Sequence, residues 1–394
     1  MIMKMRIAFF ADNFYPELSG IADSILITGK ELTKRGHEVV FVGPHYTPKN
    51  YSSAHRQHTK KDGQEFVNGM RAVRLPSLPL PLSPTGQSRI AIPTGASFEF
   101  LSKFKPDIIH TNSPYGCGWE AVRAAKKFKV PLVGTNHTPI EEFYPLAPTL
   151  MRRFDAWYYN HCSFVTTPFA KLIERMREVG FSKPARALAN PVVRSIFNPP
   201  SDHERMTIQA KLNLPGPTLL YVGRVATEKH IDLVLHSVAK LLPQFPTIKF
   251  VITGHGIEVA NLQTLAQKLG IAEHVLFTGF IPPENLALYY KAADMFVIMS
   301  TADSQSIAMM QAYASAVPAI GARAHGLPDY IPENVGFLVE PGNIEQLTEK
   351  IKELLTDEDM RVRMGQAAHA FIDQMSPEKI AEEWEEIYKK ALER

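Results

Sequence analysis

The sequence predicts an α/β protein of two Rossmann-like domains whose parallel sheets face each other across a cleft. Three observations lead there. Apolar β-type runs alternate with helical stretches along the whole chain, which implies parallel sheets covered by helices on both faces. The alternation breaks at 190–215, where NPVVRSIFNPPSD has no periodicity. Charge divides at the same place: residues 1–200 hold 26 Lys and Arg against 15 Asp and Glu, and residues 201–394 hold 17 against 25. The net +3 is therefore the remainder of +11 and −8, a basic half joined to an acidic one.

The elements follow in order. Residues 6–11 read as a buried strand, 24–35 as a helix closed by Gly36, and 38–42 as the next strand. Residues 107–110, 132–135 and 164–167 are further strands, with a helix at 119–128. The second half repeats this rhythm, with strands at 219–222, 249–253, 275–278, 295–299 and 319–321. Helices fit between them at 232–242, 258–269, 284–293 and 306–315. A Pro- and Ser-rich stretch, 75–93, carries enough Leu and Ile to read as an ordered loop. The last segment, 376–394, is a capped amphipathic helix: Ser376, Pro377 and Glu378, then Ile380, Trp384, Ile387 and Leu392. The expected domains are 1–190 and 195–375, with 376–394 returning to the first.

Composition bounds the function. With 394 residues, 45% of them hydrophobic and 21% charged, the chain is neither disordered nor fibrous. Cys117 and Cys162 are its two cysteines, so a disulfide scaffold is excluded and a reducing compartment expected. The apolar run after Arg6 stops at Asp12, too short for a signal-peptide core, and no stretch is apolar enough to span a bilayer. A cytoplasmic protein, free or lying on a membrane, is expected.

Two segments carry chemistry. In Tyr221-Val-Gly223-Arg224-Val-Ala-Thr-Glu-Lys229 a strand ends at a glycine, and an Arg and a Lys follow five residues apart. A guanidinium fork and an ammonium so placed can clamp a diphosphate and neutralise it as it leaves. The same pattern also describes a solvated basic loop. In Ser300-Thr-Ala-Asp303-Ser304-Gln305-Ser306-Ile307, a small-residue loop enters a helix whose first turn offers free N–H groups. Asp303 or Ser304 alternatively serves as its N-cap. Asp303 and Gln311 are expected about two turns apart on one side.

These segments, with Phe277-Thr-Gly-Phe280 and Tyr289-Tyr-Lys-Ala-Ala-Asp294, stand in an order that resembles retaining GT-B glycosyltransferases of family 4. The N-terminal half is similar too, through Ser19-Gly20, Asp107-Ile-Ile-His110 and Gly134-Thr-Asn-His137-Thr. The resemblance covers nearly the whole chain and points to diacylglycerol glucosyltransferases and related lipid mannosyltransferases. It implies a GT-B fold with an acceptor-binding first domain and a donor-binding second domain. It also implies that Arg224 and Lys229 hold the donor diphosphate. By the same resemblance, Ser19 and Gly20 lie beside the phosphates or the acceptor, and His137 touches the transferred sugar. Gly223, Phe280, Asp303, Ser304, Gln305, Ser306, Ile307 and Gln311 complete the implied donor site. A histidine after a strand is otherwise most often structural.

Two features depart from the family. Asp303 and Gln311 stand where it usually carries two glutamates, so one carboxylate loses reach and the other its charge. After Asn190 come Pro191, Val192 and Val193 rather than Gly and Asp.

No cofactor and no metal is expected. The one Asp-x-Asp, Asp357-Glu-Asp359, reads as helix capping, and Gly254-His255-Gly256 has Val259 where a dinucleotide fingerprint needs its third glycine. Arg152, Arg153 and Trp157, with Lys126 and Lys127, combine cations and aromatics as an interfacial surface does, or as a solvated face over a core does. Nucleic acid is not expected, because no binding motif accompanies the charge. The implied activity is hexose transfer, with UDP-glucose favoured, to a lipid hydroxyl on the inner face of the membrane. The alternatives are transfer to a soluble acceptor, epimerisation of a nucleotide sugar, and sugar-nucleotide binding without turnover.

Overall fold

The structure, a computed structural model, describes residues 4–17, 19–54, 56–80, 88–137 and 148–393. It divides into two compact units, Met1–Pro191 with Pro377–Arg394, and Val192–Ser376.

In the first unit seven strands run parallel. From one edge they are Ala185–Ala187, Phe164–Thr167, Leu132–Thr135, Ile108–Thr111, Arg6–Phe10, Glu38–Pro44 and Met70–Leu75. Gln64–Val67 and Thr59–Lys61 extend the far edge antiparallel. Burial on both faces explains why residues 7–10 of the strand Arg6–Phe10 are all apolar: Ile7 and Phe9 enter one core, Ala8 and Phe10 another on the opposite face. The helix Pro377–Leu392 completes the first of these cores with Ile380, Trp384, Ile387 and Tyr388. Polar contacts fix it there as well. Glu385 receives Arg35 at 2.8 Å and His37 at 3.0 Å, and the Tyr388 hydroxyl meets His110 Nδ1 at 2.8 Å.

The second unit has six parallel strands in the order Val275–Gly279, Lys249–Thr253, Thr218–Val222, Met295–Ile298, Ala319–Ala322, Gly336–Val339. Numbered along the chain this is the doubly wound order 3-2-1-4-5-6. The connections reverse direction between Thr218–Val222 and Met295–Ile298. In such sheets ligands bind beyond the carboxyl ends of the strands at this reversal.

Several elements differ from the sequence expectation. The first helix is Gly20–Lys34 rather than 24–35, because Ser19 is its N-cap and accepts a bond from the Ile21 N–H. Ser24 lies inside it, donating to Asn190 Oδ1 at 2.8 Å. The helix Gly116–Phe128 starts before 119, where the Asp12 carboxylate takes the Cys117 N–H at 3.0 Å. Within 190–215 lies a helix, Asp202–Lys211, capped by Ser201. It buries only Ile208, so no apolar stripe announces it. The stretch 75–93 contributes two paired strands, Ser77–Pro79 and Arg89–Ala91; residues 81–87 lie outside the described residues.

Candidate active site

In the second unit, the loops after the strands Thr218–Val222 and Met295–Ile298 leave the sheet at the reversal point. Lys229 and Asp303 meet there, Nζ to Oδ2 at 2.7 Å, with Ser300 Oγ 3.5 Å from the same Nζ. Arg224 pairs with Glu228 at 2.7 Å, and its carbonyl accepts from the Tyr221 hydroxyl at 2.7 Å. The Thr301 N–H donates to the Glu228 carbonyl and ties the two loops together. Burial alone would raise the Asp303 carboxyl. The Lys229 charge and hydrogen bond, with Ser300 and Arg224, hold it below the ordinary aspartate value instead.

The Gly254-His255-Gly256 segment is the wall behind this loop. The His255 carbonyl accepts from the Val225 N–H at 2.9 Å. A Cβ at Gly254 would stand 1.9 Å from the Gly223 carbonyl oxygen, and one at Gly256 1.8 Å from that of Val225. These glycines therefore allow two backbones to touch. The His255 ring accepts from the Phe280 N–H at 3.1 Å, and Phe280 is exposed.

The helix after the second loop is Ile307–Ala314, and its N-cap is Ser306, which accepts from the Met309 N–H at 3.2 Å. Neither Asp303 nor Ser304 caps it. Asp303 lies in the loop and faces Lys229, whereas Gln311, inside the helix, accepts from the buried Tyr290 hydroxyl at 3.0 Å. Asp303 and Gln311, expected about two turns apart on one side, thus lie one in the loop and one in the helix, each with its own partner. Ser304 Oγ is buried and has no partner among the described residues. Gln305 accepts from the Tyr330 hydroxyl at 3.3 Å.

In the first unit the corresponding region is neutral. His137 follows the strand Leu132–Thr135 and is 8% exposed. Its Nε2 lies 3.0 Å from Asn112 Oδ1, and its Nδ1 has no partner among the described residues. Burial pushes His137 down to about 4, and His110 also well below its ordinary value. Both nitrogens of His110 are engaged, with Tyr388 and with Thr135 Oγ1 at 2.8 Å. A small cavity beside His137 is lined by Ser24, Thr28, His110, Asn112, Thr135 and Asn190, with apolar Phe9 and Trp384. Ser19 spends its hydroxyl on the cap of Gly20–Lys34, and Gly20 is exposed at that helix start. Asn112 and Glu228 escaped sequence reasoning. Asn112 stands next after the strand Ile108–Thr111, and position at a strand's carboxyl end is the signal that finds it.

The cationic and aromatic residues fall on two helices, Gly116–Phe128 and Pro148–Tyr159. Trp157 faces outward, 54% exposed, against Trp119 at 5.1 Å between ring centres. Tyr158 faces inward, its hydroxyl 2.7 Å from Thr111 Oγ1. Arg153, Lys126 and Lys127 are exposed and Arg152 is half-buried; Lys127 sits over the Phe98 ring at 4.7 Å. The hairpin Ser77–Pro79 with Arg89–Ala91 adds a feature that composition did not reveal. Leu78 and Ile90 are cross-strand partners, and with Leu80 and Ile92 they are exposed.

Among the described residues no helix is long and apolar enough to cross a membrane, and no three His, Cys, Asp or Glu side chains are grouped to hold a metal ion. Asp357 caps the helix Glu358–Phe371 by accepting from the Met360 N–H at 2.7 Å.

Comparison with known proteins agrees with this architecture. Residues 203–371 match the family described as glycosyl transferases group 1, and residues 18–195 match Glycosyltransferase Family 4. The chain is 29% identical to an alpha-monoglucosyldiacylglycerol synthase of Streptococcus pneumoniae over 82% of its own length and 72% of that protein's. It is 27% identical to a GDP-mannose-dependent alpha-mannosyltransferase of Corynebacterium glutamicum, over 93% and 84% respectively. In fold it is similar to the sucrose-phosphate synthase of Thermosynechococcus elongatus, with a TM-score of 0.79 at 21% identity, covering 98% of this chain and 99% of that one. Two parallel-sheet units, the first matched by Glycosyltransferase Family 4 and the second by glycosyl transferases group 1, decide the assignment: the chain belongs to the GT-B glycosyltransferases, with a Family 4 first unit and a group 1 second unit.

Proposed function

We propose that the protein is a retaining hexosyltransferase. It moves a hexose from a nucleotide diphosphate sugar, UDP-glucose in the first instance, to a lipid hydroxyl such as that of diacylglycerol on the cytoplasmic face of the membrane. The observation that carries this reading is the pair Arg224 and Lys229, held by one loop at the reversal point of the second sheet. The relatives named above, a glucolipid synthase and a mannosyltransferase, support the substrate kinds.

In the proposed step the acceptor oxygen bonds to the anomeric carbon on the face from which the diphosphate departs. The bond from that carbon to the diphosphate oxygen breaks, and its electrons leave with the diphosphate. The departing phosphate takes the proton of the acceptor hydroxyl. Negative charge grows on the diphosphate, and Arg224, Lys229 and the first-turn N–H groups of Ile307–Ala314 oppose it without a metal. Lys229 must then exchange Asp303 for phosphate, which leaves the Asp303 carboxylate to receive a sugar hydroxyl. Ser304, Gln305, Ser306 and Ile307 line the same turn, Phe280 and Gln311 are assigned to the nucleoside, His137 to the transferred sugar, and Ser19 and Gly20 to the phosphates or the acceptor.

Membrane docking belongs to the same proposal. Arg152, Arg153, Lys126 and Lys127 would meet anionic head groups, and Trp157 with the exposed hairpin residues Leu78 and Ile90 would enter the boundary layer. The test supplies UDP- and GDP-sugars with and without anionic vesicles carrying diacylglycerol. A new glycolipid with its anomeric configuration retained is the expected product. Nucleotide release that ignores the vesicles would reject the lipid acceptor.

A further inference from the structure

We propose that Asn112 fixes the tautomer of His137 so that its Nδ1 is a bare hydrogen-bond acceptor, and that this acceptor selects a sugar offering a hydroxyl over one offering a carboxylate or sulfonate. The inference rests on the reading above that His137 faces the transferred sugar.

The Asn112 side-chain Nδ2 donates to the Phe10 carbonyl oxygen at 3.3 Å, and its own N–H reaches the same oxygen at 2.8 Å. A carbonyl cannot donate, so the amide must present its nitrogen to Phe10 and its oxygen to His137. Nε2, 3.0 Å from that oxygen, therefore carries the imidazole proton. A neutral imidazole has one N–H, so Nδ1 keeps only a lone pair. Burial holds the ring at about 4, and it stays neutral near pH 7.

Nδ1 is buried and unpartnered among the described residues, on a side chain 8% exposed. Two of its neighbours in the cavity are committed elsewhere: His110 to Tyr388 and Thr135, and Ser24 to Asn190. A buried acceptor left unmatched is costly, so a ligand that brings a proton to it gains affinity. A hydroxyl brings one. A carboxylate or sulfonate brings lone pairs and negative charge to a lone pair, so a uronic or sulfonated hexose should bind at least about tenfold more weakly. Asn112 is a positioning residue here, acting through His137.

The test has two arms on the full-length protein. In the first, nitrogen-15 spectra of histidine-labelled protein are recorded at pH 7, with the His137 signals identified by their loss in His137→Gln. Nδ1 should resonate as an unprotonated nitrogen and Nε2 as a protonated one. In Asn112→Leu the two tautomers should mix, and in Asn112→Asp the added carboxylate should drive the ring toward the doubly protonated form. A proton on Nδ1 in the wild type, or spectra unchanged in both variants, overturns the tautomer assignment. In the second arm, calorimetry compares UDP-glucose with UDP-glucuronate, and GDP-mannose with GDP-mannuronate. The wild type should favour the neutral sugar at least about tenfold within each pair, and Asn112→Asp should narrow that ratio several-fold. A ratio near one, or one that Asn112→Asp leaves unchanged, overturns the selection. Failure of glycolipid synthesis would reject the proposed reaction yet leave both arms readable, since neither needs turnover.

Discussion

In the first unit, drawn from the basic half of the chain, the groups around the cavity beside His137 are neutral and buried: His137, His110 and Asn112, with one lone pair unmatched among the described residues. In the second, drawn from the acidic half, the equivalent position holds cations, each already facing a carboxylate: Lys229 with Asp303 and Arg224 with Glu228. Neither unit's net charge is repeated at its centre: the first gathers neutral groups, and the second pairs two cations with two carboxylates. The difference teaches that a domain's overall sign describes its outer surface, whereas its binding centre is set by pairs and burial. It also separates two ways of recognising a ligand. The second unit exchanges one ionic partner for another, and the first offers a fixed acceptor that must be matched.

The comparison breaks most decisively at Lys229. Lys229→Ala should lower the transfer rate by about 10²–10³, as loss of one preorganised stabilising group does, measured at saturating donor. A rate within a few-fold of the wild type would reject the clamp.

The next effect is on stability and sharpens the contrast in acid. His137 is depressed from 6.5 to about 4 by burial, so between those values the unfolded chain binds a proton that the folded one refuses. Stability from this group is complete above pH 6.5 and falls as pH drops toward 4, by up to about 3 kcal/mol. His110 acts in the same direction. Asp303 behaves oppositely in range: its lowered value gives stability that is present above the ordinary aspartate value and is lost only below it. Denaturant unfolding at pH 7 and pH 5 should therefore show a smaller loss in His137→Gln than in the wild type, whereas Asp303→Asn should match the wild type across that interval. Equal losses in wild type and His137→Gln would count against a neutral buried His137.

A smaller effect tests what the basic surface does. Replacing Arg153 and Lys126 by Ser should weaken partition onto anionic vesicles by about 2 kcal/mol, about thirtyfold, at roughly 1 kcal/mol per cation, with nucleotide binding unchanged. Unaltered partition would make these residues a solvated face. The smallest effect is at Gln311. Gln311→Glu restores a charge-assisted acceptor and should tighten nucleoside diphosphate binding by about 1 kcal/mol at most, read by calorimetry. Weaker binding would mean that the bond to Tyr290 is the better use of that side chain.

Much of the fold was legible because strands buried on both faces are continuous apolar runs, as in residues 6–10 and 249–253. The helix Asp202–Lys211 was not, since it buries one residue and leaves no stripe to read. The edge strand Thr59–Lys61 is exposed throughout and has no apolar pattern at all. At the site, Arg224 and Lys229 stood out because a glycine, an Arg and a Lys follow one strand. The cap at Ser306 was hidden by Ser304 and Asp303, which are equally good capping residues, and only the observed bond to Met309 separates them. Asn112 was hidden for a different reason. Its role depends on a carbonyl of Phe10, a hundred residues away in sequence and adjacent only once the strands Arg6–Phe10 and Ile108–Thr111 pair.

The helix Pro377–Leu392 carries a consequence for how the chain becomes a protein. It supplies Trp384, Ile387 and Tyr388 to a core whose other members lie before residue 190. During synthesis the first unit therefore emerges early but waits for residues 377–392 to close, while the second, continuous from Val192 to Ser376, can finish before it. A fragment ending at Pro191 would lack Ile380, Trp384, Ile387 and Tyr388 from that core, so the earlier-made half depends on a helix made after the whole of the second unit.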